Sequence, residues 1–270
     1  MTRCLVPLSF LLLTACGGGS GGGGGDDDDD DGGGGGAGGD RTFADETARY
    51  EARRREALAG CTLLLEVLGT ESGVRYDAQG WVIEQFNTYE GELRTETLTS
   101  YERSGGRVVR STADFHDYDV PGSDTVGTYG QDCSDVWETS STVVDYDAAE
   151  RPVSAVETGV DVCGETHERT AQFSYTVTDG LLVTADDLRD DGYRTVTTYD
   201  ECGMPVRIET TFADGDTIES TIVNTYAGDC RIVSADYGGD ILRYDDQERP
   251  VEYVSGLLGS LLYTYEGCAN

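Results

Sequence analysis

Hydrophobic patterning divides the chain into unlike parts. From Cys61 onward, Thr, Val and Tyr dominate short segments such as Arg194-Thr-Val-Thr-Thr-Tyr199 and Ser220-Thr-Ile-Val-Asn-Thr-Tyr226. Clusters such as Ser104-Gly105-Gly106, Asp214-Gly215-Asp216 and Gly238-Gly239-Asp240 separate them every dozen residues or so. β-Branched and aromatic runs bounded by turn residues predict strands joined by hairpins. The fold class expected is all-β, an antiparallel hairpin array forming a meander sheet or a sandwich. One helix is predicted at 41–60, just before the array. There Thr42 with Asp45 makes a capping signal, Phe43, Tyr50 and Leu58 form a sparse stripe, and Gly60 ends the run.

A short motif recurs in the strand region. It reads Arg75-Tyr76-Asp77-Ala-Gln-Gly80-Trp81-Val82, then Tyr146-Asp147-Ala-Ala-Glu150-Arg151-Pro152-Val153. It returns as Tyr199-Asp200-Glu-Cys-Gly203-Met-Pro205-Val206 and as Tyr244-Asp245-Asp-Gln-Glu248-Arg249-Pro250-Val251. A tyrosine-ended strand, an Asp-led turn and a β-branched return describe a hairpin. Proline fits because it opens a strand, where no ladder bond need be donated. The motif resembles the YD repeat of RHS-type bacterial surface proteins, in which Tyr-Asp and two variable residues precede Gly-Arg-Leu. Tyr76, Asp77 and Gly80 match best, whereas Glu150 and Glu248 replace the glycine. Large proteins of that type wind many repeats into a shell around a toxin, and this chain is far too short for one.

A longer period underlies the short one. Tyr146 through Val156 matches Tyr244 through Val254 at 7 of 11 positions, an offset of 98. Val126-Gly-Thr128-Tyr129-x-x-Asp132-Cys133 matches Val223-Asn-Thr225-Tyr226-x-x-Asp229-Cys230 at an offset of 97. Tyr101 and Val108 lie 98 before Tyr199 and Val206. The pattern suggests two tandem copies near 70–168 and 169–268 within a repeat domain at 61–270.

The N-terminus carries a different pattern. Met1-Thr2-Arg3 precedes an apolar run from Cys4 to Leu13, too short to span a bilayer as a helix. It closes on Leu13-Thr14-Ala15-Cys16, which resembles the lipobox of bacterial lipoproteins. The resemblance implies a signal peptide at 1–15, cleavage before Cys16, and Cys16 as the lipid-bearing residue at a membrane, at the outer membrane or cell surface. Residues 17–40 are glycine broken by six aspartates, Asp26 to Asp31. Such a stretch cannot bury enough surface to offset its entropy, so a disordered tether spanning roughly 25–30 Å is expected.

Charge changes the picture of partners. The chain has 19 basic residues, all arginine, against 52 acids, and a net charge of −33. That sign argues against nucleic acid, and it repels anionic lipid headgroups, leaving the lipid as the only membrane attachment. Beyond Cys4 and Cys16, six cysteines remain: Cys61, Cys133, Cys163, Cys202, Cys230 and Cys268. An even number in an oxidising compartment predicts three disulfides, with fifteen pairings open. No CxxC spacing favours a metal instead.

Candidate chemistry is thin. His116, in Asp114-Phe115-His116-Asp117, and His167, in Glu165-Thr166-His167-Glu168, are the two histidines, each expected to be a solvated loop residue. No nucleophile elbow, HExxH, P-loop or dinucleotide glycine pattern occurs. Acidic turns such as Asp214-Gly-Asp216 and Asp245-Asp246 offer oxygens for Ca²⁺, with no EF-hand spacing. No catalytic, metal or cofactor residue is therefore assigned. Arg75, Arg151 and Arg249 recur beside the motif tyrosines, either as contacts for a ligand or as partners of neighbouring acids. The expected function is a non-enzymatic lipoprotein binding a protein or glycan through its repeat face. A Ca²⁺-stabilised structural module and a carboxylate hydrolase are the alternatives.

Overall fold

The computed structural model describes residues 46–118, 137–161, 164–179, 181–228 and 230–268. Cys16, the tether, Cys133, Cys163 and the Val126–Cys133 half of the long-period match lie outside them.

A helix, α1 (Glu46–Leu58), comes first. It ends where Gly60 takes φ +70° and Cys61 N donates to Leu58 O at 3.0 Å. A left-handed residue just past the last turn satisfies end carbonyls, and glycine adopts it without a Cβ clash. Seventeen strands follow among the described residues. The first five are β1 (Thr62–Val67), β2 (Thr70–Tyr76), β3 (Val82–Tyr89), β4 (Glu92–Ser104) and β5 (Arg107–Asp117). Next come β6 (Trp137–Tyr146), β7 (Pro152–Asp161), β8 (Thr166–Thr178), β9 (Leu181–Arg189), β10 (Arg194–Tyr199) and β11 (Pro205–Thr211). The rest are β12 (Thr217–Thr221), β13 (Val223–Tyr226), β14 (Ile232–Asp236), β15 (Ile241–Tyr244), β16 (Pro250–Ser255) and β17 (Gly259–Glu266).

Sequential neighbours pair antiparallel except β12 and β13, between which no ladder forms, and β1 pairs with both β2 and β17. The expected antiparallel hairpin array is therefore present, as a meander that returns on itself in one large, nearly closed sheet. The β1–β17 ladder covers the two edges that the ends of the meander would expose, leaving one side each of β12 and β13 without a strand partner among the described residues. The turns foreseen at 104–106, 214–216 and 238–240 join β4 to β5, β11 to β12 and β14 to β15. The run Ser220–Tyr226, expected as one strand, divides at buried Ile222. Before it the chain ladders with β11, after it with β14, and Ile222 N donates to Val206 O at 2.9 Å.

Among the described residues, two disulfides tie the ring. Cys61–Cys268 joins the exit of α1 to the end of β17, with Cα atoms 4.2 Å apart. Cys202–Cys230 joins the β10–β11 and β13–β14 turns, with Cα atoms 5.2 Å apart. Two clusters of buried residues form against α1. One cluster is Leu58, Cys61, Leu63, Val74 and Tyr76; another is Tyr50, Met204 and Ile232. Elsewhere the strands carry largely half-buried Thr, Val and Tyr, which suits a composition poor in large aliphatics.

Candidate functional site: a helix seated on aspartate turns

The four motif turns share one geometry. The N–H groups of Asp77, Asp147, Asp200 and Asp245 donate to the carbonyls four residues on, at 2.8–2.9 Å. The residue three on, Gly80, Glu150, Gly203 or Glu248, has positive φ and donates back to the Asp carbonyl at 3.0–3.1 Å. This is a type I turn closed by a left-handed bulge residue. Each Asp Oδ1 accepts two further N–H groups, as Asp77 does from Gln79 at 2.8 Å and Trp81 at 2.9 Å. The aspartate thus replaces the ladder where the chain reverses.

A second layer holds each turn from outside. Asp Oδ2 accepts from Arg103 at 2.8 Å in the first turn, from Arg151 at 3.3 Å in the second, and from Arg249 at 2.8 Å in the fourth. In the third, the Tyr226 hydroxyl donates to Asp200 Oδ2 at 2.5 Å, and burial, followed by that bond, raises the phenol pKa. In the first, second and fourth turns a tyrosine from the next strand donates to the carbonyl opening the return strand, and in the third Asn224 Nδ2 donates to Pro205 O at 3.0 Å. Tyr101 reaches Val82 O at 2.6 Å, Tyr175 reaches Pro152 O at 2.8 Å, and Tyr265 reaches Pro250 O at 2.5 Å. Arg151 and Arg249 also lie over the Tyr175 and Tyr265 rings, at 4.9 and 5.0 Å. Arg75 pairs with Glu84 at 2.5 Å. All three recurring arginines therefore follow the neighbouring-acid reading. Tyr146 and Tyr244, matched across the long period, end β6 and β15 before turns of this one geometry.

Helix α1 meets all four turns. Arg55 lies 4.4 Å over the Trp81 ring and 3.7 Å from Glu150 Oε2. Arg53 Nε donates to Glu248 Oε2 at 3.0 Å, and Tyr50 packs on Met204 of the third turn. Gly80 passes so close that a Cβ there would sit 1.9 Å from Arg55 O. The helix face turned inward carries Tyr50, Glu51, Arg54 and Leu58, all at most 6% exposed. This was the part sequence reasoning missed. The apolar stripe foresaw Tyr50 and Leu58, but not an acid and an arginine on the same buried face.

Electrostatics there are unusual. Burial pushes Glu51 up to about 7 against the opposing pull of Arg54 and Arg55. Burial likewise raises the phenols of Tyr50, Tyr76, Tyr237 and Tyr244 around Arg54. A cavity of about 20 Å³ lies between Glu51, Arg54, Arg55, Tyr76 and Trp81, room for about one water. A separate open cleft of about 450 Å³ is lined by Arg53, Glu56, Ala57, Arg231, Asp246, Gln247 and Glu248. The arrangement can seal one end of the ring and hold water or a small polar group.

The histidines lie on strands, not in loops. His116 in β5 stacks on Tyr118 at 6.0 Å. His167 in β8 lies with Nε2 2.7 Å from Oδ2 of buried Asp161, close to Glu165. Strand pairing sets His167 opposite Gly159, two residues before Asp161, and most of the polar neighbours that suggested loops, such as Asp114, Asp117 and Glu168, are themselves strand residues. The acidic turns offered for Ca²⁺ hold their own bonds. Asp214 Oδ1 accepts from Asp216 N at 3.0 Å, Asp245 is held as above, and Asp246 pairs with Arg231.

No protein-family model matches the chain, and no curated protein matches it in sequence. Among solved structures, a porin-like protein from Bacteroides uniformis is similar over 78% of this chain and 97% of its own, at 12% identity and a TM-score of 0.33. The TcdB2-TccC3-Cdc42 structure is similar over 70% of this chain and 12% of its own, at 11% identity and a TM-score of 0.23. The TcdB2-TccC3-TEV structure is similar over 74% of this chain and 15% of its own, at 12% identity and a TM-score of 0.24.

Proposed function

We propose that this chain is a lipid-anchored extracytoplasmic module that binds a protein or glycan over its β surface and performs no catalysis. Leu13-Thr14-Ala15-Cys16 supports the anchor, and the two disulfides suit an oxidising compartment. The observation that carries the binding reading concerns where reactive and charged groups are engaged. At the four turns, Asp, Arg and Tyr side chains hold one another and the backbone. The outer strand positions instead present Leu98, Val156, Ile218, Val223 and Leu262, each 39–67% exposed. Broad, mixed polar and apolar strand faces suit extended contact rather than a convergent pocket.

Photoreactive residues placed singly at Leu98, Ile218, Leu262 and Gln247 in membrane-bound protein test this. The same cross-linked species should appear from at least two strand positions and not from Gln247 in the cleft. Cross-links confined to Gln247 would contradict it.

A further inference from the structure

We propose that Asp161, Glu165 and His167 form a binding site for one divalent transition-metal ion of the Zn²⁺ kind. The Asp161 carboxylate, the Glu165 carboxylate and an imidazole nitrogen of His167 all lie within 4.8 Å of one another. Asp161 ends β7 and His167 lies in β8, where it pairs with Gly159, so the ladder fixes their separation. Between them the chain makes a turn like those at the other end. Asp161 N donates to Glu165 O at 3.0 Å and Gly164 N to Asp161 O at 2.9 Å. Asp161 Oδ1 accepts from Glu165 N at 2.9 Å.

What differs is the partner of the second oxygen. In the motif turns Oδ2 accepts from Arg103, Arg151 or Arg249, or from the Tyr226 hydroxyl. Here an imidazole takes that place, and a second carboxylate is added beside it. The aspartate is also far less exposed, its side chain at 1% against 19% for Asp77 and 28% for Asp147. The arginine or tyrosine of the motif turns has thus been exchanged for an imidazole with a second carboxylate close by, a set of nitrogen and oxygen donors that suits a metal ion.

Zn²⁺ holds nitrogen and oxygen ligands at roughly 2.0–2.2 Å, which sets neighbouring donors roughly 3–3.5 Å apart. The 2.7 Å contact between His167 Nε2 and Asp161 Oδ2 need open only slightly. On binding, Nε2 gives its lone pair to the ion, and any proton it carried passes to solvent. The Glu165 N–H bond to Oδ1 presets the carboxylate as outer partners of metal ligands do. Glu165 is exposed and His167 half-buried, so water can complete the coordination. The imidazole selects Zn²⁺, Ni²⁺ or Cu²⁺ over Ca²⁺, which takes oxygen ligands.

The test is Zn²⁺ titration of the purified full chain by calorimetry, with His167→Gln, Glu165→Gln and the nearby control Glu168→Gln. One equivalent should bind to the parent and the control, with affinity at least tenfold weaker in both site variants. Millimolar Ca²⁺ should not displace it. Nitrogen hyperfine coupling in the Cu²⁺ electron paramagnetic resonance spectrum of the unaltered chain reads the imidazole without any variant. Absence of stoichiometric binding, equal affinity in the site variants, displacement by Ca²⁺, or a spectrum without nitrogen coupling would each overturn the proposal.

Discussion

The carboxylate of Glu248 accepts the backbone N–H of Ile232 at 3.2 Å, joining the turn after β15 to the first residue of β14. Its other oxygen accepts from Arg53 of α1. Glu150 repeats the arrangement, accepting Val108 N at 2.6 Å at the start of β5 and facing Arg55. Both glutamates hold φ of 55–62°, a conformation that glycine takes in the other two turns. The strain is offset by a buried N–H that would otherwise lack this acceptor.

Glu248→Ala should therefore destabilise the fold by about 2 kcal/mol in denaturant unfolding, although it removes a buried acid. Glu248→Gln, which keeps an acceptor oxygen, should lose less. Equal losses in the two variants would show that the bond to Ile232 N does not matter.

The approach of α1 to the first turn gives a sharper contrast. Gly80→Ala places a Cβ against Arg55 O at a φ of +77°, so helix or turn must move. A loss of roughly 3 kcal/mol or more is expected. Gly215→Ala, at φ +91° with nothing within 4 Å, should lose only about 1 kcal/mol from the backbone. Comparable losses, read by thermal melting, would mean that the helix does not press on this turn.

Glu51 makes stability depend on pH. Its folded pKa of about 7 exceeds the ordinary 4.5, so the native state holds the proton more firmly. The associated stability is present below about pH 4.5 and is lost as pH rises towards and through 7. The loss between the two plateaus is about 3 kcal/mol. Glu51→Gln should remove that slope, gaining on the parent chain as pH rises from 5 to 8. A constant difference across the range would contradict the buried, proton-holding acid.

The disulfides should differ in effect. Cys61–Cys268 spans 207 residues and Cys202–Cys230 spans 28. Loop-closure entropy then predicts losses of about 5 and about 3.5 kcal/mol on replacing each pair by serine. Denaturant midpoints of the two serine pairs give the comparison, and a larger loss at Cys202–Cys230 would contradict the ordering.

Local chemistry made much of this legible. Arg194-Thr-Val-Thr-Thr-Tyr199 reads as a strand and is β10, because alternating β-branched residues fit a half-buried ladder wherever it lies. The Tyr-Asp turns were readable because their backbone and Asp Oδ1 bonds lie within five residues, whereas the Arg103 and Tyr226 contacts that brace them come from 26 residues away. Closure of β1 on β17 was not, since it depends on partners some two hundred residues apart. Nor was the change of partner at Ile222, an ordinary strand residue by type. The buried face of α1 stayed hidden because Glu51 and Arg54 resemble solvated helix residues until the sheet surrounds them. The Asp161 turn has no preceding tyrosine. Its only sequence signal was an Asp with Gly164 three residues on and a histidine six on.

The anchor at Cys16 is the claim on which location and function rest, and intact-mass analysis of protein extracted from its native membrane tests it most directly. The mature chain should begin at Cys16 and carry the added mass of a diacylglyceryl group. A chain that begins elsewhere, or begins at Cys16 without acyl mass, would contradict the account.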